Sequence, residues 1–508
     1  MEVIRLIGRN SRLSLLQLEI VKRQIETLDT NLQVQIITRD TRGDVLQNVP
    51  LHTVEGSDFF TKDIFDSLQN GSADIAVHSL KDLSSEHFFS SSKFAVVDRD
   101  DTRDIAIFNQ QITNKIMAGE PVVIGTCSPR RNEMAIGFLQ KALPYFGKPV
   151  TITTKDIRGN VDTRLRKLDS GEYDGTILAT AGLNRLLKSQ GDAPVTKELL
   201  NGKKLMFLPL IECVPAPCQG AIVAEADPSN KSAVSILDKI NKSHLLEACL
   251  VEKRMAMGYG VGCLQKFGVT TISFGNSQVI YAAGRDSEGT VFEKWSGLPE
   301  LTVANKEFFS ATDFMGKFFD YQSNTNVPAI PETTVYVANY KAVEREEMIA
   351  QLAQKRVWAS GTRTWFELAK KGLWVEGCAD AFGLEFLASA WQMPLLGIAA
   401  KDVGIVTSNE AADIWQAKGW PVYQTYSAIE KSQPALEKNI KAAEIIFWTS
   451  YRQYLQYKDV LRPGLIHLCS FGETAQQFKQ AGIDVIVFPN IKAFQQWRQT
   501  FIRSRSVA

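Results

Sequence analysis

The sequence predicts an α/β fold built from several domains. Three observations carry this. Short strand-like apolar runs alternate with stretches of helical spacing from the first residues onward. At 508 residues the chain exceeds what one hydrophobic core supports, so three or more domains are expected. The composition, 44% hydrophobic and 22% charged, is that of an ordinary globular chain.

Taken in order, Val3 to Ile7 is an apolar strand segment, Leu13 to Leu28 has helical spacing, and Leu32 to Thr38 alternates like a strand. Further apolar strands are Ile75 to Val77, Phe94 to Val97, Val122 to Ile124 and Thr176 to Ala179, with room for helices between them. This pattern predicts a largely parallel sheet with crossover helices. The polar, proline-containing stretch Gln322 to Glu332 is the best linker candidate, and a linker is expected over 306–332. A second α/β region follows over 333–508, with strands expected at Thr334 to Val337, Val403 to Val406, Ile445 to Trp448 and Val485 to Phe488.

That second region contains a repeat. Ser360-Gly361-Thr362-Arg363-Thr364 leads through a helical stretch to Gly372 and Val375; Ser470-Phe471-Gly472-Glu473-Thr474 leads likewise to Gly482 and Val485. The spacing predicts strand, turn, helix starting near the Thr, glycine C-cap and strand in each copy, hence two similar lobes. A chance match between degenerate α/β sequences is the competing reading.

Net charge is +1, from 57 basic and 56 acidic residues, which argues against a nucleic-acid or membrane partner. Seven scattered cysteines without a CxxC pair argue against a disulfide framework or structural zinc site and fit a reducing cytoplasm. The basic N-terminal segment lacks the apolar stretch of a secretory signal. The longest apolar run, Phe386 to Ala400, is broken by Gln392 and Pro394 and reads as buried core. Five histidines without HxxxH or HxH spacing support no metal site.

Four segments place Arg beside Gly, Ser, Thr or Asn: Gly8-Arg9-Asn10-Ser11, Thr41-Arg42-Gly43-Asp44, Gly125-Thr126-Cys127-Ser128-Pro129-Arg130-Arg131, and Arg158-Gly159-Asn160-Val161-Asp162-Thr163-Arg164. Turns after strands offer free backbone N–H groups and a helix dipole to an anion, and Arg adds a planar fork that grips a carboxylate or phosphate. Each segment alone reads equally as surface arginine at a helix start. Asp82, closing His78-Ser79-Leu80-Lys81-Asp82, is either a carboxylate for acid–base or cation-stabilising work or a helix N-cap. Lys81 either pairs with it or binds an anion, and His78 reads as a packed or hydrogen-bonded histidine. Cys263, flanked by Gly260 and Gly262, is either an accessible nucleophile or an inert buried thiol.

Over about residues 3–300 these segments, in this order, resemble the hydroxymethylbilane synthase (porphobilinogen deaminase) family. The resemblance rests on HSLKD at 78–82, GTCSPRR at 125–131, RGNVDTRLRKLDSGEYD at 158–174, ILATAGLNRL at 177–186, the GC-x-x-x-x-G loop at 262–268 and the R-x-D-x-R-D turn at Arg99 to Asp104. It implies stepwise condensation of four porphobilinogen molecules into hydroxymethylbilane, with loss of ammonia at each step. It implies a dipyrromethane cofactor held through Cys263, with Gly262, Lys81, Thr126, Ser128, Arg130, Arg131 and Arg158 around it. Asp82 becomes the catalytic residue, and Arg9, Ser11, Gln17, Lys62, Ser79, Arg164 and Arg185 the substrate-binding set. The implied fold has two lobes like those of periplasmic binding proteins (1–95 with 205–225, and 100–200) and a small α/β cofactor domain (230–300). The expected protein is a cytoplasmic monomer acting on a small molecule.

The sequence departs from the family pattern at Ser57, usually lysine, and at Asp58 and Cys218, usually glycine. It departs also at Val261, again usually glycine, and at Arg12, often proline. The region 333–508 is similar to uroporphyrinogen-III synthases on its two lobes, its repeat, Ile446 to Ser450 and Gly419 to Tyr426. That similarity implies closure of hydroxymethylbilane to uroporphyrinogen III, with Ser360, Ser450 and Thr474 as candidate anion-binding residues. Two rival readings are a synthase whose C-terminal region is regulatory, and a two-lobed anion-binding module without chemistry.

Overall fold

The computed structural model describes residues 2–29, 31–40, 62–90, 92–259, 265–301 and 306–505. Two compact units emerge. Met1–Gln140, Lys148–Thr271 and Tyr281–Glu293 form the first; Lys141–Gly147, Ile272–Ile280 and Lys294–Ala508 form the second. Among the described residues no helix is long and apolar enough to cross a membrane.

The first unit contains ten strands that form two five-stranded sheets. They are β1 (Glu2–Arg9), β2 (Leu32–Arg39), β3 (Ile75–Ser79), β4 (Lys93–Arg99), β5 (Asp104–Phe108), β6 (Val122–Gly125), β7 (Ile152–Lys155), β8 (Gly175–Ala179), β9 (Lys204–Phe207) and β10 (Ala221–Ala226). One lobe has the order β2-β1-β3-β10-β4 and the other β7-β6-β8-β5-β9. The strands expected from periodicity are all present, but neither sheet is wholly parallel. β10 runs antiparallel to β3 and β4, and β5 antiparallel to β8 and β9. The reason is connectivity: β5 and β10 are the strands through which the chain enters each lobe from the other.

The first lobe shows why the helical spacing was informative. Helix Arg12–Leu28 buries Leu18, Val21 and Ile25 on one stripe against Leu6, Ile75 and Val77. Each such side chain contributes roughly 1.5–3 kcal/mol of burial. Ala233, Ile236, Leu237 and Ile240 of helix Lys231–Ile240 join the same core, so these residues belong with the first lobe and not with a separate domain beginning at 230. Likewise Lys204–Phe207, expected within the first lobe, pairs with β5 in the second. After helix Ser243–Met257 comes a three-stranded sheet of β11 (Lys266–Phe274), β12 (Ser277–Arg285) and β13 (Val291–Ser296).

Ten further strands build the second unit. β14 (Phe308–Ser310), β15 (Phe319–Ser323), β16 (Thr334–Val337), β17 (Arg356–Ala359) and β18 (Val375–Cys378) come first in the chain. β19 (Val403–Ser408), β20 (Val422–Glu430), β21 (Ile445–Trp448), β22 (Ile466–Ser470) and β23 (Val485–Phe488) follow. They form a six-stranded sheet, β15-β20-β19-β16-β17-β18, and a four-stranded sheet, β14-β21-β22-β23. The linker expected at 306–332 is therefore corrected. Phe308–Ser310 pairs with β21 and Phe319–Ser323 with β20, because Phe309, Phe318 and Phe319 are buried in the apolar core they share with Trp448 and Phe478. Both repeat copies are strand, turn, helix (Thr362–Lys370; Glu473–Gln480), left-handed glycine (Gly372, φ 76°; Gly482, φ 68°) and strand. Gly361 and Gly472 take the N-cap positions, one residue before each helix.

One buried polar cluster fixes β3, β10 and the short helix Ser85–Phe88 together. Glu225 of β10 is fully buried and bonds His78 Nε2 at 3.1 Å and His87 Nε2 at 2.7 Å. Burial alone would raise its carboxyl, but the two histidines hold it down at about 2. A depressed acid stabilises the fold fully above its unfolded value and ceases to do so as pH falls through its folded one. The stability difference between wild type and Glu225→Gln is therefore expected to be fully present near pH 5 and to shrink by about 3 kcal/mol toward pH 2. Urea denaturation at a series of pH values checks this, and a pH-independent difference would contradict it.

Candidate active site

In α/β sheets ligands settle at the carboxyl ends of strands, where the chain switches direction across the sheet. In the first lobe the switch lies between β1 and β3, since β2 lies on one side of β1 and β3 on the other. In the second it lies between β6 and β8. The sequence-expected residues cluster at these two places. Arg9 and Ser11 follow β1, Ser79, Lys81 and Asp82 close β3, and Thr126, Ser128, Arg130 and Arg131 follow β6.

A cavity of about 210 Å³ brings part of this set together; Arg9, Ser11, Ser79 and Thr126 are not in its walls. Its walls include Lys81 and Asp82 from the 3₁₀ turn Leu80–Asp82, Ser128, Arg130 and Arg131 from the second lobe, and Gln219 and Lys253. Gln265, two positions after Cys263, also lines it. Strand β11 lies close because Gly268 touches backbone. A Cβ there would meet the Val214 carbonyl oxygen at 2.2 Å, and Val269 N–H donates to the Pro215 carbonyl at 3.0 Å. Cys263, Gly262 and Val261 lie outside the described residues, as do Ser57, Asp58 and the side chain of Lys62, which opens the helix Lys62–Gln69.

The electrostatics are set by Asp104. This fully buried carboxylate accepts from Arg130 Nη2 at 2.7 Å, Arg131 Nη2 at 2.8 Å and Gln219 Nε2 at 3.0 Å. Burial works against its charge, yet the two guanidiniums hold it well below the usual carboxylate range. Arg130, buried, also donates to the Val214 carbonyl at 2.6 Å, so it supports the site instead of reaching a ligand. Arg131 and Arg164 are half-buried. Burial pushes the Arg164 guanidinium down to about 10, with Arg131 and Arg158 adding to the fall and Cys127 opposing it. Crowded cations of this kind invite an anion. Lys81 is pushed below the lysine range by burial, with Asp82 opposing and Arg131 reinforcing.

Other expected residues have local duties. Ser11 N-caps helix Arg12–Leu28, and its hydroxyl accepts from Ser14 N–H. Gln17 is buried on that helix. Thr126 is buried with its hydroxyl oxygen on Ser128 N–H at 3.1 Å, which corrects its expected contact with a ligand. Arg185 is corrected more strongly. It is buried and donates to the Gly220 carbonyl at 2.5 Å and to Asp98 at 3.3 Å, binding the chain crossing between the lobes. Arg12 pairs with Asp162 and Asp192 of the second lobe. Ser360 shares a 3.1 Å hydrogen bond with Thr364, Ser450 N-caps helix Tyr451–Tyr457, and Thr474 sits inside helix Glu473–Gln480. Sequence reasoning missed Lys253 and Gln219. Lys253 lies on the apolar helix Ser243–Met257 and donates to the Leu83 carbonyl, a contact no local pattern announces.

The cysteines separate cleanly. Cys218 is buried with φ 61°, its thiol pushed well up by burial and by Cys249. Cys127 donates to the Ile157 carbonyl at 3.0 Å, and burial, then Asp156, raises it too. Neither is an activated thiolate.

Comparison with known proteins gives a family match in the first part of the chain. Residues 4–235 match the family described as porphobilinogen deaminase, dipyromethane cofactor binding domain. The porphobilinogen deaminase of Nostoc sp. is 31% identical over 298 residues, covering 58% of this chain and 85% of its own length. Among solved structures, the extracellular-binding protein of a probable amino-acid transporter from Bacillus subtilis is 13% identical, covering 50% of this chain and 97% of its own, with a TM-score of 0.25. The VFT2 domain of Bordetella pertussis BvgS is 15% identical over 50% of this chain and 92% of its own, with a TM-score of 0.24. Dipyrromethane, an acidic pyrrole pair, fits the crowded guanidiniums and the buried Arg131 Nε that lacks a hydrogen-bond partner. Porphobilinogen is the substrate of enzymes with this domain, and hydroxymethylbilane, a tetrapyrrole precursor, their product. By its sequence match and the make-up of this cleft, the chain belongs to the porphobilinogen deaminase family.

Proposed function

We propose that the protein tethers dipyrromethane through Cys263, extends it at Asp82, and closes the released hydroxymethylbilane to uroporphyrinogen III in its C-terminal unit. The observation that supports the first two parts most is one cavity shared by Asp82, Lys81, Arg131, Ser128 and Gln265. When bound, the dipyrromethane supplies the pyrrole end onto which substrate is added. Arg131, Arg158, Arg164 and Ser128 hold acetate and propionate groups, since the guanidinium fork matches a carboxylate. Arg9 and Ser79, at the strand ends facing the same switch point, receive the incoming porphobilinogen. Loss of ammonia from its aminomethyl group leaves positive charge on the substrate pyrrole. From its place in the cavity wall Asp82 accepts the pyrrole N–H and stabilises that charge. Gly262, with no side chain, leaves room beside the tether, and Lys62 adds a further cation.

The two-lobed second unit, with its matched strand–turn–helix copies, supports the ring-closing part. A cytoplasmic monomer is the state in which we expect the protein to work.

Three measurements test these parts. The purified wild-type protein is expected to be heavier than its sequence by one dipyrromethane, and Cys263→Ser to have the bare mass. A loaded Cys263→Ser protein, or a bare wild type made with ample porphobilinogen, contradicts the tether and favours a binding module. Asp82→Ala is expected to keep the added mass while turnover falls about 10²–10⁴-fold. Wild-type turnover in that variant removes Asp82 from the mechanism. Supplied with porphobilinogen, the full chain is expected to yield the III isomer of uroporphyrinogen. Isomer I alone marks spontaneous closure and leaves the C-terminal unit a regulatory role.

A further inference from the structure

Only one of the second unit's two sheets has a switch point. The four-stranded sheet, β14-β21-β22-β23, runs in chain order. In the six-stranded sheet, β17 and β18 lie on one side of β16 and β19 on the other, so the crevice opens between β16 and β19. The residues placed there by the turn after β16 and the helix after β17 are Tyr340, Lys341 and Arg363, and Tyr321 reaches them from β15.

Their arrangement is unusual. Lys341 Nζ lies 4.0 Å from the Tyr321 ring centre and 5.3 Å from that of Tyr340. Arg363 stands 5.5 Å from the Tyr340 ring, donating to its hydroxyl at 3.4 Å and to Met315 Sδ at 3.7 Å. Among the described residues neither cation has an ion-pair partner. Acids close in sequence are engaged elsewhere: Asp320 with Lys431, Glu344 with Lys371, and Glu367 with Lys370. Tyr321 and Arg363 are exposed and Tyr340 and Lys341 half-buried, so two cations resting on two phenol rings border solvent together.

We propose that this crevice is a binding site for a pyrrolic polycarboxylate, gripped by Lys341 and Arg363 and covered by the rings of Tyr321 and Tyr340. Carboxylate fits better than phosphate. The turn after β16 has no glycine to form a cradle of N–H groups, and the Lys341 N–H is already donated to Asn339 Oδ1 at 3.1 Å. The two rings hold the cations in place, so a ligand with several carboxylates meets both charges at fixed positions. This site replaces Ser360, Ser450 and Thr474 as the acid-binding set and rests on the proposed ring-closing reading for the identity of its natural ligand.

The test uses the full chain and uroporphyrin I, a stable octacarboxylate, titrated by tryptophan quenching, with ATP as the phosphate control. Lys341→Ala/Arg363→Ala is expected to weaken porphyrin binding roughly tenfold, while Lys341→Arg/Arg363→Lys recovers most of it. Thermal midpoint and porphobilinogen consumption are expected to be unchanged, which separates the site from misfolding and from the first unit. Equal affinity in wild type and the alanine variant overturns the site, as does ATP binding as tightly as the porphyrin with the same dependence on the two cations. Isomer analysis keeps the two readings apart. Weakened binding with only isomer I from wild type supports the site and refutes ring closure; unchanged binding with isomer III refutes the site and leaves ring closure standing.

Discussion

The cleft depends on one buried carboxylate. Asp104 has no access to solvent, and a charge so placed is tolerated only when its partners are fixed around it. Arg130, Arg131 and Gln219 are those partners, arriving from the turn after β6 and from the chain crossing back to the first lobe. The interaction does more than hold the lobe. It spends one negative charge on two guanidiniums, so the cleft keeps a surplus of positive charge that Arg158 and Arg164 increase. A cleft neutralised internally would bind no acid; one with no internal anion would repel its own arginines. The shared carboxylate sets the balance between the two.

The same topology recurs three times. In each of the sheets β2-β1-β3-β10-β4, β7-β6-β8-β5-β9 and β15-β20-β19-β16-β17-β18 the mutually parallel strands reverse their order at one point, and each reversal carries cations on the following turn. Backbone geometry explains why. Adjacent loops leave the sheet in opposite directions there, and the gap exposes N–H groups and strand ends that favour anions. The four-stranded sheet β14-β21-β22-β23 never reverses, and its turns carry capping residues such as Ser450 with Gln453.

Much of this was legible in the sequence. Period-two and helical spacing located β1, β3, β16, β21 and β23 and the helix Arg12–Leu28, because those patterns report which side chains face a core. The motifs singled out Asp82 and Arg131, both of which line the cavity, because a turn after a strand leaves side chains at the sheet's open end. Partnerships between distant residues were not legible. Nothing local marks Asp104 as the carboxylate for Arg130, or Arg185 as a ligand of the Gly220 carbonyl. The stretch 306–332 looked like a linker because polar residues and prolines dominate its second half. Phe309, Phe318 and Phe319 at its start outweigh them by burying three aromatic rings.

Cys218 shows how a departure from the family pattern is accommodated. Its φ of 61° is a conformation that glycine adopts freely and other residues adopt at a cost of roughly 1–2 kcal/mol. The crossing cannot relax, because Gly220 next to it is pressed against Asp100, where a Cβ would approach the carbonyl oxygen to 2.5 Å. Glu252 supplies the compensation. Fully buried, it accepts from Cys218 N–H at 2.7 Å, Thr271 N–H at 2.8 Å and Arg99 at 2.8 Å, tying the crossing, β11 and the end of β4 to one carboxylate. Three charge-assisted bonds outweigh a strain of that size. The strained residue is thus held by a second buried acid that plays, for the crossing between the lobes, the part Asp104 plays for the arginines.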